Sequence, residues 1–290
     1  MMNTPSLLTF LFFGEDVFSL AVLESLFDAP FSLRPLAVVI LEPVTVSGNR
    51  LVNFCDNRDI PVIRTQSVRT DEFLSHFVGM DVDLIVSAHF QRLLPASLFN
   101  RAKLGALNLH PSLLPRYRGM SPQHWPIILG DTETGVTVHR IDEGVDTGRI
   151  LRQIRIPLEP GIYIHELQRK FLDVYRTVVV EAIERVIAGE PGELQSRENY
   201  SYFPKITRAD VEITADTDVE RAGNMVRAFS FPYAGAQFGG VRIMKAERAD
   251  EATWIRLKHM NAQQGLIDDS DRKFLLLKDG ALILTKWRNE

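Results

Sequence analysis

Asn108, His110 and Asp146 place an amide, an imidazole and a carboxylate on one stretch of chain. Those groups suit acyl transfer to an amine. The amide polarises a carbonyl, the imidazole moves a proton, and the carboxylate sets the charge and orientation of the imidazole. The stretch runs from Leu104 to Asp146, LGALNLHPSLLPRYRGMSPQHWPIILGDTETGVTVHRIDEGVD. Side chains alternate along a strand, so Asn108 and His110 share a face at the end of the apolar run 104–109. Each residue also has a plainer reading. An Asn and a His at a strand end can cap a loop, and an Asp before Thr-Gly can make a turn. His110, His139, Asp142 and Asp146 could also gather around a metal. However, the chain has no H-E-x-x-H and no paired Cys/His spacing, so no metal is expected.

These groups must be positioned by the elements around them. Leu7–Phe13 is apolar throughout and suits a buried parallel strand, with Gly14 turning the chain and Asp16 capping a helix to about Phe27. Strands are expected at 35–41, 60–63, 83–88 and 104–109, and helices near 50–56 and 70–77. This alternation predicts an open, mostly parallel α/β sheet, which binds ligands beyond the carboxyl ends of its strands. GEDVFS has one of the three glycines of a dinucleotide fingerprint, so dinucleotide binding is not supported. A helix over 122–129 is expected with Ser121 as its cap, then strands at 135–141 and 149–156, and a long amphipathic helix over 162–187. Residues 190–210 read as a surface linker. A helix over 218–229 and short strands at 236–238, 242–245, 254–257, 273–278 and 281–285 follow, with Asp279-Gly280 as a hairpin signal.

The chain has 290 residues, a formal net charge of −4 and 45% apolar residues, enough for one large domain or a domain with a small partner. No global basic excess points to nucleic acid. The single cysteine, Cys55, excludes an intrachain disulfide framework and reads as a buried, inert thiol. No apolar run is long enough to span a bilayer, and the N-terminal residues lack the pattern of a signal peptide. A cytoplasmic protein without membrane association is expected.

Asn108-Leu-His110-Pro-Ser-Leu-Leu-Pro115, Tyr117-Arg-Gly119, Thr134-Gly-Val-Thr and Asp146-Thr-Gly148 together resemble the formyltransferases that use N10-formyltetrahydrofolate. The order and spacing match over more than forty residues. The resemblance implies a Rossmann-like catalytic domain over 1–189, a linker over 190–210 and a smaller, mostly β, OB-like domain over 211–290. It implies that Asn108 donates to the formyl oxygen and that His110 assists proton transfer. Asp146 would pair with His110 and help deprotonate the incoming ammonium. Beside that carboxylate, His110 is expected to hold its proton more readily. The co-substrate is expected against Phe90, Arg92 and Leu93 and against the loop bearing Arg140 and Asp142.

The acceptor amine divides the family. Residues 41–50, LEPVTVSGNR, hold one Arg and one Glu, little for phosphate neutralisation, which weighs against methionyl initiator tRNA. Glycinamide ribonucleotide enzymes are shorter and carry a glycine-rich phosphate loop missing here. Ser121-Pro-Gln-His-Trp125, Thr137-Val-His139, Phe203-Pro204 and Arg227-Ala-Phe-Ser-Phe-Pro-Tyr233 resemble the branch that formylates amino sugars on nucleotides. Ser121, Gln123, Trp125 and Tyr233 are the expected substrate contacts, with an aromatic covering a base or sugar. The same branch implies a homodimer and a role in lipopolysaccharide O-antigen biosynthesis. The alternatives are a methionyl-tRNA formyltransferase, a formate-releasing hydrolase, and a non-catalytic folate- or nucleotide-binding protein on the same fold.

Overall fold

The run Leu7–Phe13 forms β1 (Leu8–Gly14), buried from Phe10 onward. Apolar on both faces, it suits a sheet interior covered on both sides. The computed structural model describes residues 7–260, 263–269 and 271–289. Asp16 caps α1 (Val17–Phe27), accepting from the N–H groups of Phe18 and Ser19. The alternation continues through β2 (Leu33–Leu41), α2 (Val46–Asp56), β3 (Val62–Thr65), α3 (Asp71–Ser75), β4 (Leu84–Ala88), α4 (Ala96–Phe99) and β5 (Ala106–His110). Next come β6 (Arg118–Gly119), α5 (Trp125–Leu129), β7 (Glu133–Arg140), β8 (Ile150–Pro157) and α6 (Ile164–Ile187). The rest holds β9 (Tyr202–Phe203), α7 (Arg208–Val211), α8 (Val219–Ala228), β10 (Ala236–Phe238), β11 (Val241–Arg248), α9 (Glu251–Met260), β12 (Gly265–Asp269), β13 (Arg272–Leu277) and β14 (Gly280–Asn289).

Contacts divide the chain into two units. The first holds the residues up to Gly119 with 135–155 and 171–202; the second holds 120–134, 156–170 and the residues from Phe203 onward. Residues 120–134 and 156–170, which the sequence reading groups with the N-terminal part, therefore share a unit with the C-terminal β segment.

Among the described residues, the first unit's sheet has the order β3-β2-β1-β4-β5-β7-β8. The strands from β3 to β5 pair in parallel, and β7 runs antiparallel to β5. The strand order reverses between β1 and β4, and the carboxyl ends of such strands open a crevice for ligands. The core includes Leu11, Phe13, Val39, Ile85 and Leu98. The expected amphipathic helix is α6, whose buried face includes Phe171, Tyr175, Val178, Ala182, Ile183 and Val186 at helical spacing. Cys55 is buried, which pushes its thiol up to about 12.

The second unit's sheet, again among the described residues, has the order β10-β11-β14-β13-β12, with every neighbouring pair antiparallel. The expected strand at 254–257 is instead part of helix α9. Asp250 accepts from the Thr253 N–H at 2.7 Å, and Trp254 and Leu257, three residues apart, pack into one apolar cluster. The expected helix over 122–129 shortens to α5. Ser121 has φ +57°, which is not the extended backbone of an N-cap, and its carbonyl accepts from His124 N–H in a turn.

Residues 190–210 run along the surface, none of them buried, and parts of the segment are tied down. Glu193 pairs with Ile150, Gln195 bonds the loop after β7, and 202–203 and 208–211 are regular structure. No helix among the described residues is long and apolar enough to cross a membrane.

Candidate active site

Parallel pairing of β4 and β5 sets Asn108 opposite Ser87 and brings both strands to the same carboxyl edge. Asn108 and His110 lie two apart on β5, and the antiparallel register sets His139 opposite Asn108 and Thr137 opposite His110. His139 therefore comes to the same edge from β7. The loop beyond β7 returns Asp146 between the two histidines. Its Oδ2 lies 3.5 Å from His110 Nδ1 and its Oδ1 lies 3.4 Å from His139 Nε2. Asn108 Nδ2 lies 3.2 Å from His139 Nε2. The structure thus gathers Asn108, His110 and Asp146, and adds His139. Of the four groups weighed for a metal, Asp142 is directed elsewhere. Among the described residues no set of His, Cys, Asp and Glu side chains is arranged to hold a metal.

Hydrogen-bond partners fix the tautomers. His110 Nε2 faces the Tyr117 carbonyl at 2.8 Å, and a carbonyl only accepts, so Nε2 carries the hydrogen. The base position of the ring is therefore Nδ1, on the Asp146 side. His139 Nδ1 donates to the Arg140 carbonyl at 2.8 Å. Its Nε2 lies 3.2 Å from the Asn108 amide nitrogen and 3.4 Å from Asp146 Oδ1, so at most one N–H of Asn108 is taken up there and the other stays available.

His110 is almost fully buried, and this burial pulls its pKa below the ordinary imidazole value although the Asp146 carboxylate pulls upward. The expectation that Asp146 holds the proton on His110 is thus reversed, because desolvation of the cation outweighs the charge pairing. Burial would raise the Asp146 carboxyl, but His110, His139 and the Gly119 N–H, which donates to Oδ2 at 2.8 Å, hold it well below the usual carboxylate range. The site at neutral pH is a neutral imidazole beside a carboxylate. A proton accepted at Nδ1 forms an imidazolium directly against Asp146.

The loop itself is constrained. Asp146 has φ +53°, a conformation that costs a non-glycine residue about 1 kcal/mol or more. A Cβ at Gly148 would collide with the Arg140 carbonyl, so only glycine lets the two segments approach this closely. Asp142 accepts from Gly144 N–H and Thr147 Oγ1, shaping the loop. Gln195 donates to the carbonyls of Asp146 and Gly148.

A second Asp–His pair sits at the end of β4. His89 Nδ1 lies 3.0 Å from Asp16 Oδ2 and its Nε2 lies 2.8 Å from the Tyr175 hydroxyl. Phe18 stacks on its ring with centroids 4.6 Å apart. Burial would raise Asp16, but His89 outweighs it and lowers the carboxyl. Glu15 accepts from Gln91 N–H at 2.7 Å, and Ser19 Oγ donates to the Ala88 carbonyl at 2.7 Å. The segment that leads into Phe90–Leu93 is thus built on the N-terminus of α1.

Of the expected folate contacts, Phe90 packs edge-on against Phe13 at 5.3 Å, and Leu93 is exposed. Arg92 is exposed and donates to the Gln91 carbonyl. The Arg140 side chain donates to the carbonyls of Leu104, Pro191 and Glu190, and that of Asp142 stays within its loop. Both side chains are thus taken up by bonds within the chain.

The expected substrate contacts fall in the second unit. Gln123 and Gln168 each donate to the Tyr233 hydroxyl, at 2.8 and 3.0 Å. His124 lies edge-on to Tyr233 and stacks on Phe229. Trp125 packs 4.4 Å from Phe203, and its buried Nε1 has no partner among the described residues. Ser121 contributes its left-handed turn.

Sequence reasoning did not assign His139, Gln168, Gln195 or the Asp16–His89–Tyr175 chain to these roles. Alternation from Thr137 could have flagged His139, which shares its strand face, but its place beside Asn108 depends on an antiparallel register. The other partners carry no local pattern.

Residues 45–183 match the Formyl transferase family. The methionyl-tRNA formyltransferase of Syntrophus aciditrophicus is 33% identical over 79% of this chain and 75% of its own length. In structure, an N-formyltransferase from Helicobacter canadensis, solved with folinic acid and dTDP-3-aminofucose, aligns with a TM-score of 0.73 at 21% identity. The alignment covers 97% of this chain and all of that one. WlaRD, a sugar 3N-formyl transferase solved with dTDP and 5-N-formyl-THF, aligns with a TM-score of 0.70 at 20% identity, covering 98% and 99%.

Proposed function

Since the chain belongs to the formyl transferase family and is homologous to methionyl-tRNA formyltransferases, we propose that it transfers the formyl group of N10-formyltetrahydrofolate to the primary amine of a nucleotide-linked amino-deoxysugar. The observation that carries the chemistry is Asp146 lying between two histidines, one of which also holds the Asn108 amide. The donor set fits the co-substrate, with one amide N–H for a developing oxyanion and one buried base at a defined ring nitrogen. When bound, N10-formyltetrahydrofolate supplies the formyl carbon and a nitrogen leaving group. The free N–H of Asn108 stabilises negative charge on the formyl oxygen as the amine attacks. His110 takes the amine's proton at Nδ1, and Asp146 stabilises the imidazolium that forms. His110 then returns that proton to the departing nitrogen, which balances the transfer.

Three observations support a sugar nucleotide as acceptor. The fold matches, over nearly the whole chain, a sugar 3N-formyl transferase and an N-formyltransferase solved with dTDP-3-aminofucose. The connection between β2 and α2 is Glu42-Pro-Val-Thr45, with no cation for a nucleic-acid backbone. The second unit joins Gln123, Gln168 and the Tyr233 hydroxyl in one hydrogen-bonded cluster, amide and aromatic groups of the kind that recognise a sugar or base. The 33% identity to a methionyl-tRNA formyltransferase favours the second reading, in which the amine is that of methionyl initiator tRNA.

The test supplies N10-formyltetrahydrofolate with dTDP-linked 3- and 4-amino-deoxysugars in one arm and methionyl initiator tRNA in the other. Product mass and tetrahydrofolate release are followed. Formylation of a sugar nucleotide supports the proposal. Formylation of the tRNA alone replaces the acceptor, and transfer to neither overturns the reading.

A further inference from the structure

Gln195 lies between α6 and β9, outside the motif stretch, yet it makes four hydrogen bonds with one carboxamide. Nε2 donates to the carbonyls of Asp146 and Gly148, both at 2.8 Å. Oε1 accepts from Arg118 Nε at 3.1 Å and from Arg118 Nη2 at 2.6 Å. Carbonyls only accept and a guanidinium only donates, so this amide has one orientation and its bonding capacity is filled. The residue after Arg118 is Gly119, whose N–H holds the Asp146 carboxylate at 2.8 Å. The bonds close a ring that runs from the Asp146 backbone through Gln195 and Arg118 to Gly119 and back to Asp146 Oδ2. The ring also opposes backbone strain, because Asp146 has φ +53°, a left-handed conformation that aspartate adopts more readily than most residues but still at a cost.

We propose that Gln195 is a positioning residue for the formyl transfer, fixing the Asp146 carboxylate against His110 by clamping the loop backbone and the Arg118–Gly119 turn together. It touches neither reacting group and acts through Asp146. The inference rests on the reading of Asp146 as the carboxylate partner of His110.

The test is a pH titration of the His110 ring by nitrogen-15 NMR in the full-length protein. Wild type, Gln195→Met and Asp146→Asn are compared, with His110→Gln identifying the signal. Charged and titratable groups facing His110 are Asp146 from the loop, His139 from β7 and His89 from the end of β4. Only Asp146 depends on the clamp. Removing an opposite charge at this range lowers the midpoint of a histidine by about 1 unit, so Asp146→Asn should show that drop. Gln195→Met should show a shift in the same direction, with the melting temperature near wild type. An unchanged midpoint in Gln195→Met beside a shifted one in Asp146→Asn overturns the positioning role alone. An unchanged midpoint in Asp146→Asn overturns the pairing itself, and the inference with it.

Gln195→Glu is the second variant. It keeps both arginine bonds and replaces both N–H donors by an acceptor facing two carbonyls. In the formyl-transfer assay its kcat should fall about 10- to 100-fold with KM for the folate retained, the scale of a small misplacement of a catalytic group. It should cost nothing further in the Asp146→Asn background. An equal loss in both backgrounds would show that Gln195 acts on something other than Asp146.

Discussion

Two Asp–His pairs stand at the carboxyl edge of one sheet, and they differ in how completely each is tied down. His89 has both ring nitrogens engaged, to Asp16 at 3.0 Å and Tyr175 at 2.8 Å, with Phe18 stacked on the ring. His110 has one nitrogen engaged, by the Tyr117 carbonyl at 2.8 Å, while Nδ1 stays 3.5 Å from Asp146, beyond a normal hydrogen bond. A histidine with both nitrogens satisfied holds chain segments together. One with a nitrogen in reserve beside a carboxylate can accept a proton and keep it briefly. The comparison teaches that residue identity does not separate structure from chemistry here, whereas the completeness of the hydrogen bonding does.

Breaking each pair should give opposite phenotypes. His110→Gln, which keeps an N–H donor for the Tyr117 carbonyl, should lower kcat about 1,000-fold, as loss of a general base does, while urea unfolding stays close to wild type. Asn108→Ala should follow at about 100-fold or more, the scale of one oxyanion donor. His89→Phe keeps a ring on Phe18 but leaves Asp16 and Tyr175 without their partner. It should cost about 2 kcal/mol in urea unfolding, with kcat within tenfold of wild type. A His89 variant that melts normally but cannot transfer formyl would erase the distinction between the pairs. Tyr175→Phe removes one neutral hydrogen bond from the saturated pair and should cost about 1 kcal/mol.

The second unit supplies a further contrast, a buried histidine with no carboxylate at all. Burial lowers His124 from 6.5 to about 4, while its Nδ1 donates to the Ala228 carbonyl. The unfolded chain binds a proton more readily than the folded one, so this stability is complete above pH 6.5. It is lost as pH falls toward 4, by about 3 kcal/mol in all. Urea midpoints measured across that range should drop in wild type and flatten in His124→Gln.

The chemistry was more legible in the sequence than its supports. Asn108 and His110 announce themselves because two residues along a strand share a face, and Asp146 because it follows in a fixed order. His139 could not be placed beside Asn108 without the antiparallel register of β5 and β7, since a mostly parallel sheet does not say which strand is the exception. Gln195 was illegible because its partners are backbone carbonyls, which have no sequence signature. The α9 segment reads as a strand in the sequence because Trp254–Leu257, with three apolar residues around Arg256, is too short to separate a spacing of three from one of two. The protonation of His110 was misjudged for a related reason. Sequence shows the carboxylate partner, but the burial that outweighs it belongs to the fold.

In the proposed reaction the Asp146–His110 pair performs formyl transfer and the Asp16–His89 pair does not. The direct measurement is single-turnover formyl transfer by wild type, Asp146→Asn and Asp16→Asn, with N10-formyltetrahydrofolate and a dTDP-linked 3-amino-deoxysugar or methionyl initiator tRNA, whichever wild type formylates. The expected loss is about 1,000-fold or more for Asp146→Asn and less than tenfold for Asp16→Asn among folded protein. Wild-type turnover by Asp146→Asn, or equal losses in the two variants, would contradict it.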